Sequence, residues 1–177
     1  DCCELSFSSH MRVTSQGKAD YVGIPAFVSR VFRHSGFYVR TDRGIEKPED
    51  LRGKLVGTPE YQMTAPVWMR GILDDQYGIK SNEIRWRSGG QEEAGRDERT
   101  PFEAPKGLDL EPIPEDRTLV EMFEAGELDA LTTAREPSSF TLRKPNIGRL
   151  FPDFRTAEKQ YYEETGIYPI MHLMGLR

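Results

Sequence analysis

The chain has 177 residues, 37% hydrophobic and 30% charged, with a net charge of −5 and a pI near 5.3. That length supports one domain with its own core, or one lobe and part of another. The acidic balance argues against a nucleic-acid surface, which needs a basic stripe, and no apolar run approaches the roughly 20 residues of a membrane helix.

In chain order, Cys2 to Ser8 alternates as a strand, and Ser8-Ser9 can cap a helix running through about Lys18. Tyr21 to Phe27 reads as a second strand. Gly36 to Arg40 reads as a third, closed by the turn-rich Thr41-Asp42-Arg43-Gly44. Lys47 to Leu51 is a helical turn with Pro48 near its start. Lys54 to Gly57 predicts a short buried strand, and 62–78 a helix stopped by Gly78. Thr58 and Thr64 could each cap that helix. Pro66 favours the later start, because proline is poorly tolerated deep in a helix. Ile84 to Arg87 is another strand. Residues 89–115 are polar, Gly/Pro-rich and aperiodic, which predicts a long loop. Thr118 to Ala125 is an amphipathic helix with Gly126 at its stop, and Leu128 to Thr132 is a strand. An irregular stretch with short helices is expected over 136–155, a helix over 156–165 and a last strand over 169–176. Strands alternating with helices predict an α/β fold, a mainly parallel sheet with helices on both faces.

Cys2 and Cys3 are the only cysteines. Neighbours on a strand point to opposite faces, which disfavours a mutual disulfide, and a reduced pair leans towards the cytoplasm. The chain opens without an initiator Met and stops in a strand-like run, so it reads as an internal fragment of a longer protein. A leader on that protein stays open.

Three polar clusters end apolar runs: Arg33-His34-Ser35, Gly57 to Thr64, and Pro169 to His172. Two of them carry two of the three histidines. A strand that turns into a helix presents free N–H groups and a positive dipole end, which suits an anion. In open α/β sheets ligands bind at that end of the strands. A helix starting at Thr64 leaves Glu60, Tyr61 and Gln62 beside Thr58, free to face a ligand. Arg30, Arg33 and His34 lie between two strands, where a solvated basic loop is the plainer reading. Arg135 directly follows a strand. His172 sits in an apolar strand, where a structural histidine is as natural as a catalytic one, and His10, beside Ser9, could merely begin a helix. The 17 arginines against 7 lysines fit bidentate carboxylate recognition, or simply a GC-rich genome. The histidines lack ligand-pair spacing, and no Walker, G-x-G-x-x-G or G-x-S-x-G motif occurs, so neither metal nor cofactor is expected.

Glu49-Asp50-Leu51-Arg52-Gly53-Lys54-Leu55-Val56-Gly57 resembles the D-L-x-G-K-x-V-G signature of type II periplasmic-binding-protein folds. Glu121 to Ala130 resembles the helix-G-E-x-D-A element of the same lobe. Longer strings resemble the 4,5-dihydroxyphthalate decarboxylase family, from about Cys3 to the end. They are Phe32 to Ser35, Gly57 to Ala65, Trp68 to Leu73, Thr133 to Phe140, Leu150 to Asp153 and Gly166 to His172. The resemblance implies two lobes joined by two antiparallel hinge strands, 36–41 and 170–176. Residues 1–41 would be the tail of lobe I and the first hinge strand, 42–169 lobe II, and 170–177 the second hinge strand.

The activity implied is loss of one carboxylate from an ortho-dicarboxylated catechol, 4,5-dihydroxyphthalate giving protocatechuate and CO2. Arg33, Arg70, Arg96 and Arg135 are candidates to clamp a carboxylate, with Ser9, His10, Thr58, Tyr61 and Gln62 as further substrate contacts. Glu60, His34 and His172 are the candidate proton carriers, and His34, near its ordinary pKa, is favoured. The catechol hydroxyl is the electron source, so the scheme needs no organic cofactor; a metal-dependent lyase is a third reading. The expected partner is a small aromatic carboxylate in the cytoplasm, with no nucleic acid, no membrane and room for a homo-oligomer. The rival reading is a solute-binding protein that captures such an acid and does no chemistry.

Overall fold

Strand β1 (Cys2–Ser6) runs into α1 (Phe7–Ser15), followed by β2 (Val22–Arg30), β3 (Phe37–Arg40), β4 (Leu55–Thr58) and α2 (Thr64–Tyr77). Next come β5 (Arg85–Ser88), β6 (Leu110–Pro112), α3 (Leu119–Ala125), β7 (Ala130–Thr132) and α4 (Ser138–Thr141). The chain ends with β8 (Ile147–Arg149), α5 (Phe154–Thr165) and β9 (Ile170–Leu176). The structure, a computed structural model, describes residues 1–96, 98 and 103–177. Part of the expected 89–115 loop therefore lies outside the described residues.

Period-2 alternation builds the larger sheet. Phe37 and Val39 of β3 pack with Val56, Ala130, Met69 and Leu73 on one face, while Tyr38 packs with Leu119, Phe123 and Leu131 on the other. Strands that are apolar on both sides need cover on both sides, which α2 and α3 supply. The strand order is β6-β5-β4-β7-β3-β8. The first four strands are mutually parallel, and β3 is antiparallel to both β7 and β8. The helix that follows β4 ends at Gly78, whose left-handed φ of 62° is strained for any side chain. Thr118 caps α3 in a reciprocal box with Glu121.

A second sheet, β1-β9-β2, is wholly antiparallel. Two connections join the sheets, and they touch where the Val31 N–H donates to the Pro169 carbonyl at 3.0 Å. The Trp68 indole N–H of α2 also donates to the Ile170 carbonyl at 2.9 Å, tying the larger sheet's helix to β9.

Several expectations need correction. The strands at 36–41 and 170–176 do not pair with each other: β3 lies inside the larger sheet, and β9 lies between β1 and β2. All four residues of β3 are buried, as a central strand requires. The antiparallel contact between the connections instead involves β2 and the start of β9, where Arg30 faces Ile170. Strand β6 forms within the stretch expected to be a loop, and β8 within the stretch expected to be irregular. Each has only three residues, too few to show a period. Helix α1 starts at Phe7 rather than after a Ser8-Ser9 cap, because the Ser8 hydroxyl is committed across the molecule.

Candidate functional site

The N-termini of α1 and α2 meet. The Ser6 and Thr64 hydroxyls lie 3.0 Å apart, as do those of Ser8 and Thr64. The Ser8 backbone N–H donates to Thr64 Oγ1 at 3.1 Å, and the Ser8 hydroxyl donates to the Gln62 carbonyl at 2.7 Å. Two helices thus aim their positive ends at one place, where they repel each other and favour an anion. Neither helix carries an acidic residue in its first turn to neutralise that field.

The loop between β4 and α2 adds donors and a cation. The backbone N–H groups of Tyr61 and Gln62 both donate to the Glu98 carboxylate, the second at 3.4 Å. Arg70, two turns into α2, lays its guanidinium over the Tyr61 ring at 3.5 Å, with Trp86 behind at 5.9 Å. Burial pulls its pKa down to about 10, while Tyr61 and Glu98 oppose the shift. Its buried Nη1 has no hydrogen-bond partner among the described residues. Burial pushes the Glu98 carboxyl up; the two backbone bonds counter this, and nearby Glu60 adds to it. Thr58, at the end of β4, is fully buried, and its hydroxyl also lacks a partner among the described residues.

His172 lies across the strand pair from Ser6, whose hydroxyl reaches Thr64. Its Nδ1 is 2.5 Å from Glu4 Oε1, and both side chains are about half exposed. A carboxylate on one ring nitrogen holds the imidazole in one orientation and tautomer, leaving the other nitrogen to exchange protons. Ser9 and His10 are half-buried in the first turns of α1, and the His10 ring packs against Gly23 of β2.

Other expected residues lie elsewhere. His34 is wholly buried: its Nε2 is 3.2 Å from Gln76 Oε1 near the end of α2, and its ring packs edge-on against Phe151 and Tyr161. Burial lowers its pKa, with the Gln76 hydrogen bond opposing, so it neither faces a cleft nor keeps its ordinary pKa. Arg33 donates from Nε to Met171 Sδ at 3.1 Å and sits near Glu158 of α5; burial lowers its pKa. Arg96 is exposed and paired with Glu93 three residues away. Arg135 is exposed, and its carbonyl accepts from Gln91.

The structure therefore brings Gln62, with Thr58, Glu60 and Tyr61 on the same loop, to the start of α1 and stacks Arg70 on Tyr61. It packs His34 and Arg33 instead against Gln76, Met171 and α5, and leaves Arg96 and Arg135 exposed. Sequence reasoning missed Ser6, Ser8, Glu4 and Glu98. Ser6 and Ser8 flank a strand-to-helix turn, a signal that was there to use. Glu4 and Glu98 have no local signature. No group of three or more His, Cys, Asp or Glu with metal-ligand geometry occurs among the described residues.

No protein-family model matches the chain. It is 44% identical over all 177 residues to a 4,5-dihydroxyphthalate decarboxylase of Comamonas testosteroni, covering 54% of that protein. A 4,5-dihydroxyphthalate decarboxylase of Pseudomonas putida is 44% identical over 162 residues, with 63% of its length covered. The chain thus spans just over half the length of these curated relatives. The alkanesulfonate-binding protein SsuA from Xanthomonas axonopodis pv. citri matches the whole chain with a TM-score of 0.55 at 13% identity, the chain covering 48% of that protein. The chain therefore has a periplasmic-binding-protein-like α/β fold and, along its whole length, is similar in sequence to part of the 4,5-dihydroxyphthalate decarboxylases.

Proposed function

We propose that the intact protein is a carboxy-lyase that removes one carboxylate from an aromatic ortho-dicarboxylate, with 4,5-dihydroxyphthalate giving protocatechuate and CO2. The observation that carries this reading is the 44% identity to two 4,5-dihydroxyphthalate decarboxylases, over all 177 residues for one and 162 for the other. The site's chemistry supports it. The converging starts of α1 and α2, with the Tyr61 and Gln62 N–H groups and Arg70, favour a bound carboxylate. The half-exposed His172, oriented by Glu4, is the better proton carrier, since His34 is sealed in the core.

In this reading a base draws the proton from the hydroxyl para to one carboxylate, and the ring takes up a proton at the carbon bearing that carboxylate. The bond to that carboxylate then breaks, its electron pair returns to the ring, and CO2 leaves. In this proposal the substrate binds where α1, from the three-stranded sheet, meets α2 of the six-stranded sheet, and the two sheets correspond to lobes I and II. The free thiols of Cys2 and Cys3 support a cytoplasmic location, and no helix among the described residues is long and apolar enough to cross a membrane.

Incubation of the full-length protein with 4,5-dihydroxyphthalate, without added nucleotide, flavin or pyridoxal phosphate, should yield protocatechuate by chromatography. His172→Gln should cut turnover by about a hundredfold. Glu4→Gln should cost about tenfold in turnover, since it changes the partner that orients the imidazole. Tight binding with no product in the unmodified protein would instead make it a solute-binding protein.

A further inference from the structure

The carboxylate of Glu98 has an unusual position. It bonds to the consecutive N–H groups of Tyr61 and Gln62, immediately before α2, and it lies within the electrostatic reach of Arg70. It comes from a polar, aperiodic segment more than thirty residues further along the chain. The donors around it are not saturated, because Arg70 Nη1 is buried without a partner among the described residues. Burial and the neighbouring Glu60 disfavour its charged form, against the two backbone hydrogen bonds and Arg70, which favour it.

We propose that Glu98 occupies the subsite of one substrate carboxylate, so that ligand binding exchanges this internal carboxylate for an external one. The ligand class is an ortho-dicarboxylate. One carboxylate takes over the Tyr61 and Gln62 N–H groups from Glu98, and its neighbour meets the unpartnered Nη1 of Arg70. A second carboxylate is what Glu98 cannot supply, so the dianion wins the exchange while a monocarboxylate competes poorly. The proposal rests on the reading of this cleft as a carboxylate site and adds that the site is gated by its own side chain.

The test is calorimetric titration of the full-length protein with phthalate, which has the two carboxylates but no hydroxyl for chemistry. If Glu98 holds the site about nine-tenths of the time, Glu98→Ala and Glu98→Gln each tighten phthalate binding about tenfold. The gain for benzoate is measured alongside and should not raise its affinity to that of phthalate. Glu93→Gln, which removes the exposed partner of Arg96 on the same segment, should change nothing. If Glu98 is instead a structural cap for the loop, both variants weaken binding or leave it unchanged, and either result overturns the proposal. Hydrogen exchange in the unmodified protein gives a reading that does not depend on how the variants fold: saturating phthalate should speed exchange in the peptide spanning 91–98, and slower or unchanged exchange also overturns it. Turnover by the unmodified protein with unaltered affinity in both variants defeats the exchange but leaves the proposed function standing. Tightened binding in the variants without product in the unmodified protein does the reverse.

Discussion

A guanidinium taken out of water keeps its charge only where something replaces the lost hydration. For Arg70 the replacements are the face of Tyr61 at 3.5 Å, the more distant Trp86 and the carboxylate of Glu98. With a pKa near 10 it stays protonated at neutral pH, and its Nη1 is left to a ligand. Arg70→Met should therefore remove a charge-assisted contact worth roughly 1.5–3 kcal/mol and weaken phthalate binding by about one to two orders of magnitude. Arg135→Met, at an exposed position, should change affinity by less than about threefold. Calorimetry, with circular dichroism to verify the fold, separates the two; equal losses would mean that the exposed arginine also reaches the ligand. Arg70, Tyr61 and Gln62 were legible in the sequence because they follow a strand-to-helix turn with a late helix start. Glu98 was not, because its place depends on how a distant polar segment folds back. His34 was misplaced because a polar triplet between two strands looks the same whether it faces solvent or packs under α5.

At the scale of elements, close approach decides more than propensity does. A Cβ on residue 36 would stand 2.2 Å from Met69 Cε and 2.6 Å from the Thr133 carbonyl oxygen. The methionine end can swing away. The carbonyl cannot move so freely, because the Thr133 N–H is bonded to the Gly36 carbonyl at 3.0 Å. Gly36→Ala should thus lower the unfolding free energy by about 1–3 kcal/mol in urea titrations, through overpacking between β3, β7 and α2; an unchanged midpoint would show that the strands can separate there at little cost. The elements that could be read in advance were those with a period or a punctuating residue. These include α2 with Gly78, α3 with Thr118 and Gly126, and β4 after its apolar run. Strands β6 and β8 lacked both, and only the neighbouring strands β5 and β3 define them.

At the scale of the whole molecule, His34 links the larger sheet's α2 to α5 while carrying a titratable group in the core. Its folded pKa is depressed below the ordinary 6.5, chiefly by burial. Just below that value the unfolded chain binds a proton that the folded chain refuses, so this group's contribution to stability is full above about pH 6.5 and declines as the pH falls through the window beneath it. His34→Gln should flatten that decline, measured as urea midpoints at successive pH values; parallel curves for the two proteins would mean that the imidazole titrates alike folded and unfolded.

The three-stranded sheet has its last strand in the middle. Among the described strands, β1 and β2 hydrogen-bond to β9 and not to each other, so their pairing within this sheet waits for β9 to be made. The intervening residues supply the entire larger sheet, which can assemble beforehand. On the ribosome, at about 5–20 residues per second, β1 and β2 wait on the order of ten seconds between emerging and pairing. Over that interval the strand edges that β9 later occupies stay unpaired. The pairing that sets Ser6 opposite His172 is thus completed only after the six-stranded sheet and the start of α2 have been made.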